Sequence, residues 1–76
     1  MKRNDFDVRL GKLLKEAREE KGYSQQYVAD RMGVTRQSIY YWERGERGII
    51  AGYLLDFCDV VGVDISEIQK ALKGKK

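Results

Sequence analysis

Apolar side chains recur along the chain at intervals of three and four, in five runs set apart by glycines and polar breaks. That is the spacing of amphipathic helices. Phe6, Leu10, Leu13, Leu14 and Ala17 form the first run and predict a helix from about Phe6 to Lys21, stopped by Gly22. Asn4 suits its N-cap, and Asp5 and Asp7 favour its start electrostatically. Gly11 lies inside it, where glycine costs about 1 kcal/mol relative to alanine, so close packing is the only reason on offer for it. Ser24 caps a second helix, running to Met32 with Val28, Ala29 and Met32 as its stripe and Gly33 as its stop. Thr35 caps a third, running to Arg44 and stopped by Gly45. A fourth is expected over about Gly52 to Val61, with Leu54, Leu55, Cys58 and Val61 facing inward and Gly62 ending it. Asp64-Ile65-Ser66-Glu67 opens the fifth in a capping-box pattern, with Ile65, Ile68 and Leu72 as its apolar positions. The fold class is therefore all-α: one five-helix domain over residues 1–76, with a core at about 6–73, a basic tail at 73–76, and neither repeat nor linker.

Composition narrows the function classes. Of the 76 residues, 42% are hydrophobic and 36% charged, the balance of a folded domain and not of a disordered chain. There is no histidine and Cys58 is the lone cysteine, which disfavours a zinc site and rules out an internal disulfide. Cys58 reads as a buried, inert thiol before it reads as a redox sensor, because it falls on an apolar stripe. No apolar run reaches membrane-spanning length and no signal-peptide core follows Met1 to Asp5, so a cytoplasmic protein without a membrane partner is expected, associated with the nucleoid when bound to DNA. With no phosphate loop and no base-paired nucleophile, an enzyme is not expected, nor a cofactor, a metal or a small-molecule ligand.

The net charge of +3 permits a polyanionic partner, but the placement of charge says more. Between Arg31 and Trp42 there are two arginines and no acid. The acids gather at Glu16 to Glu20 and at Asp56 to Glu67. Lys70, Lys73, Lys75 and Lys76 read as a solvated end before a phosphate-binding arm.

The most informative stretch is Gln25 to Glu43. Two short helices are joined by Gly33-Val34-Thr35: a residue that tolerates positive φ, an apolar corner, then a cap. Ala29 is small enough to let the helices approach, and Val28, Val34, Ile39 and Trp42 supply the core between them. On the third helix Arg36, Gln37, Tyr40, Tyr41 and Arg44 share one face, while Ile39, Trp42 and Glu43 share the other. Arginine can bond guanine bidentately, and glutamine can do the same with adenine. Arg18 and Glu43 each sit one turn after an inward apolar residue, Leu14 and Ile39, so a partly buried structural ion pair is expected.

Ser24-Gln25, Val28-Ala29, Met32-Gly33-Val34-Thr35, Ile39, Trp42-Glu43 and Gly45, at these spacings, resemble the phage-repressor-like helix-turn-helix family, also called lambda-repressor-like or xenobiotic-response-element type. The resemblance covers about Leu10 to Leu72. It implies a five-helix fold whose third helix enters the DNA major groove, and an Arg18–Glu43 bridge. It implies base reading by Arg36, Gln37 and Tyr41, with Tyr40 a weaker candidate, and phosphate contact by Gln25, with Gln26 beside it. Ser38, Arg44 and Arg47 are further phosphate candidates. Two bulky tyrosines, where the family often carries small polar residues, depart from the pattern. So does Arg47-Gly48-Ile49-Ile50, whose isoleucines could staple the fourth helix or face a second protomer.

The implied function is a sequence-specific transcriptional regulator of double-stranded DNA, a repressor acting as a homodimer on a palindromic operator. The alternative is an antitoxin or adaptor of the same fold that works through protein contacts, using Tyr40, Tyr41, Ile49 and Ile50.

Overall fold

A computed structural model describes residues 4–73, arranged as five helices with no strand among them: α1 (Asp5–Glu20), α2 (Gln25–Met32), α3 (Arg36–Arg44), α4 (Ala51–Val61) and α5 (Ile65–Lys73). Each expected run becomes a helix. Lys75 and Lys76 of the expected basic tail lie outside the described residues.

The starts are set by side-chain caps. The Asn4 carboxamide oxygen accepts from the Phe6 and Asp7 backbone N–H groups, at 2.8 and 3.3 Å. Ser24 and Thr35 accept from Tyr27 and Ser38 in the same way. Asp64 accepts from the Ser66 N–H, and this bond holds its carboxyl below the usual range. α4 has no side-chain cap. Its N-cap residue is Ile50, and the preceding Ile49 lines the same apolar groove as Leu54, four residues into the helix, which is the arrangement of a hydrophobic staple. Of the two isoleucines, Ile49 is thus the staple and Ile50 is left outside, 65% exposed.

All five helices contribute to a single core. Leu14, Val28, Ala29, Ile39, Phe57 and Val61 are fully buried within it. Each of the larger ones contributes about 1.5–3 kcal/mol by leaving water. Two expected inward positions are corrected. Leu55 is 53% exposed, and Phe57 takes the buried place. The inward stripe of α4 is Leu54, Phe57, Cys58 and Val61, whose spacing of three, one and three follows the helix; Leu55 lies one residue off it. Phe6 is 50% exposed, because it sits in the first turn of α1, at the edge of the packed region.

Gly11 proves to be a close-approach position. A Cβ there would lie 2.3 Å from the Trp42 carbonyl oxygen and 2.7 Å from that of Glu43. α1 therefore packs backbone-close against the C-terminal half of α3, which is the relation that positions the exposed face of α3.

Candidate nucleic-acid interface

α2 and α3 are joined by a corner at Gly33, whose φ of +73° is costly for any residue with a Cβ. The corner is closed by the Val34 N–H donating to the Ala29 carbonyl at 3.0 Å, while Val34 itself packs against the core. Gly45 ends α3 at φ +72°, with the Val8 backbone 2.5 Å from where a Cβ would sit. No larger residue fits that corner, so the end of α3 is pinned against α1.

Within this frame Ile39, Trp42 and Glu43 are buried, while Arg36, Gln37, Tyr40 and Arg44 are exposed and Tyr41 is half-buried. The two faces expected from the helical repeat are therefore the two faces found. The exposed one carries arginines, an amide and two phenols.

Arg18 and Glu43 are both buried, at 8% and 6% exposure. Arg18 Nε donates to Glu43 Oε2 at 2.6 Å, and Nη2 donates to Oε1 at 2.9 Å. The third guanidinium nitrogen donates to the Tyr23 carbonyl at 2.8 Å, which fastens the α1–α2 connection to the same hub. These bonds to Glu43 outweigh burial and raise the Arg18 pKa further, so the guanidinium stays charged.

From the hub a polar chain runs outward. Gln25 Nε2 donates to Glu43 Oε1 at 3.0 Å, and Gln25 Oε1 accepts from Arg36 Nη1 at 3.4 Å. A side chain at the exposed start of α3 is thereby tied, through Gln25, to the buried ion pair. Gln26 points its amide elsewhere, donating to Asp30 one turn on at 2.8 Å. The Ser38 hydroxyl shares a 3.0 Å hydrogen bond with the Thr35 hydroxyl at the α3 cap.

The far end of α3 is organised by aromatic rings. The Arg44 guanidinium carbon lies 5.4 Å from the Tyr40 ring centroid, and that of Arg47 lies 4.7 Å from the Tyr41 centroid. Tyr40 and Tyr41 meet edge to face, their centroids 5.7 Å apart. Glu46, which the sequence reading passed over, accepts from Arg44 Nε at 2.8 Å, and that bond raises the Arg44 pKa. The one available signal was an acid two residues beyond a cation, where the chain leaves α3.

Residues 14–68 match the family model described as Helix-turn-helix. HTH-type transcriptional regulatory proteins of Saccharolobus islandicus are 39% identical over 66 residues, covering 84% of this chain. One from Thermococcus kodakarensis is 32% identical over 74 residues, covering 96%. The chain spans about a fifth of the length of these relatives, 21% and 23%. Among solved structures, the restriction-modification controller protein C.AhdI from Aeromonas hydrophila is 30% identical with a TM-score of 0.76, over 80% of this chain and 92% of that one. The clp gene regulator ClgR from Corynebacterium glutamicum shares the fold at 20% identity, with a TM-score of 0.86, over 96% of this chain and 94% of that one.

Proposed function

The chain belongs to the helix-turn-helix family of the lambda-repressor-like type, and from that premise we propose that it is a DNA-binding transcriptional regulator that reads a specific duplex site with α3. The observation that carries this reading is the exposed face of α3. Arg36, Gln37 and Arg44 project there from a helix pinned by Gly11, Gly45 and the Arg18–Glu43 pair. A short helix held this firmly can enter a major groove about 12 Å wide without being ordered first.

Arg36 and Gln37, near the α3 N-terminus, are assigned to base edges, with Tyr40 and Tyr41 bordering them. Gln25 is assigned a double role, contacting phosphate and bracing Arg36 through the bond they share. Ser38, Arg44 and Arg47 are assigned to phosphates, and Gln26 is a weaker candidate because its amide is already bonded to Asp30.

A single domain offers few base contacts, so useful affinity calls for two copies on half-sites about one helical turn apart. The surface assigned to the second copy is the apolar groove of about 420 Å³ between α1, α4 and α5, lined by Phe6, Ile49, Leu54, Ile65 and Leu72. Ile50 and Leu55 add further exposed apolar surface on α4 and at its N-cap. Repression, by occupying a palindromic operator, is the regulatory outcome assigned to such a dimer.

The test is selection of bound duplexes from a random pool, followed by titration of binding against salt. A two-fold sequence with a fixed half-site spacing and a steep salt slope are expected. A chain that retards no duplex at low salt, yet holds a stable protein partner through Tyr40, Tyr41, Ile49 and Ile50, would replace this reading with that of an adaptor or antitoxin.

A further inference from the structure

We propose that Tyr41 is a positioning residue for Arg47: its ring face holds the guanidinium where a DNA phosphate would meet it. This rests on the DNA-binding reading above and replaces direct base contact as the role of Tyr41.

Every arginine of α2, α3 and the turn that follows is held by a partner. Arg36 is bonded to Gln25, Arg44 to Glu46, and Arg31 lies 5.9 Å from the Tyr27 ring. Arg47 makes the tightest of the three ring stacks, at 4.7 Å. It also has the weakest backbone support, since it follows Gly45 and Glu46 outside any helix. Its long side chain would otherwise have to be ordered on binding, which opposes association.

The Tyr41 ring is well placed to prevent that. It is half-buried on α3 and in edge-to-face contact with the Tyr40 ring. A guanidinium lying on a ring keeps its N–H edge in plane and free to donate to phosphate oxygens. A ring face covered by Arg47 is also not available to pack on a thymine methyl. The ring face that meets Arg47 thus acts on DNA through that guanidinium.

The test compares the wild-type chain with Tyr41→Phe, Tyr41→Leu, Arg47→Ala and the Tyr41→Leu/Arg47→Ala double variant. Two readouts are used: NMR of the free chain, and affinity for a selected and an unrelated duplex. In the free wild-type chain the Arg47 side-chain protons are expected upfield, shifted by the ring current. Tyr41→Phe should keep that shift and Tyr41→Leu should abolish it.

On DNA, Tyr41→Leu should weaken both duplexes alike, roughly two- to fivefold. Tyr41→Phe should bind as wild type does, and Tyr41→Leu should change nothing further once Arg47 is alanine. A Tyr41→Phe chain with altered base preference would overturn the proposal, since the hydroxyl would then be reading sequence. So would a Tyr41→Leu loss that persists undiminished in the Arg47→Ala background, or an absent ring-current shift. A wild-type chain that shows the shift but binds no duplex would instead overturn the DNA reading, and the phosphate role of Arg47 with it.

Discussion

Arg18 and Glu43 face each other across the α1–α3 contact as a two-point ion pair, with Nε–Oε2 at 2.6 Å and Nη2–Oε1 at 2.9 Å, almost sealed from water. Neither charge has a solvent alternative, so removing one strands the other. Glu43→Gln or Arg18→Met is expected to lower stability by about 3–5 kcal/mol, measured by urea unfolding at pH 7. That is a large share of the roughly 5–15 kcal/mol typical of a folded domain. The double variant Arg18→Met/Glu43→Leu should recover much of the loss, because no buried charge remains. Single losses below about 1 kcal/mol would show that the pair behaves as a solvated surface bridge.

Gly11 and Trp42 set a second constraint. Alanine at position 11 would gain about 1 kcal/mol of helix propensity. It would also drive a methyl group to 2.3 Å from a backbone oxygen that cannot rotate away. Overpacking of this kind costs typically 1–3 kcal/mol, so Gly11→Ala should be net destabilising, with DNA affinity reduced because α3 is displaced. A variant more stable than wild type would show that α1 and α3 separate easily.

The helices and their caps were legible in the sequence because both are local. Asn4, Ser24, Thr35 and Asp64 act within three residues of themselves, and glycine stops need no distant partner. The inward turn of Arg18 and Glu43 was legible too, since each sits one turn from a buried aliphatic. Other features depend on what lies across the fold. The reason for Gly11 is the Trp42 carbonyl, 31 positions away, and no pattern on α1 encodes it. Leu55 and Phe57 were exchanged because a short apolar-rich helix admits two stripes, and only packing selects one. At the candidate interface the residue types were readable but not their partners. Glu46 on Arg44 and Tyr41 under Arg47 arise where the chain leaves α3, and helical periodicity stops there.

Gln37 and Arg44 separate sequence reading from charge. Gln37→Ala is expected to lose about 1–3 kcal/mol on the preferred site and little on unrelated duplex, flattening preference at one position. Arg44→Ala should weaken both alike and lower the salt slope by about one. The measurement is affinity on both duplexes across a salt series. Uniform loss from both variants would remove Gln37 from the base-reading set.

Cys58 offers a pH-dependent check on the core. Burial, and to a lesser degree the Asp64 carboxylate, push its thiol above the ordinary value. The folded state then binds the proton more tightly than the unfolded state does. The resulting stability is complete below the unfolded thiol pKa of about 8.5 and is lost as pH rises through the folded value. Native chain should therefore resist iodoacetamide at pH 7, and labelling should rise steeply in alkaline buffer or denaturant. Fast labelling of the folded chain at pH 7 would place the thiol at the surface.

Glu46 is bonded to an arginine proposed to contact phosphate, its Oε2 2.8 Å from Arg44 Nε. Both groups are solvated, so the pair should matter little for folding, and Glu46→Gln should unfold as wild type does. Its effect belongs to binding. A carboxylate beside Arg44 repels an approaching phosphate and must recruit a cation once Arg44 turns to DNA, which offsets part of the counterion release that drives association. Glu46→Gln is therefore expected to tighten binding to selected and unrelated duplex together and to steepen the salt slope by up to about one. Equal or weaker binding would mean that Glu46 aligns Arg44 for phosphate and does not compete for it. The sign of this one change thus decides whether the acid at the end of α3 restrains the interface or helps build it.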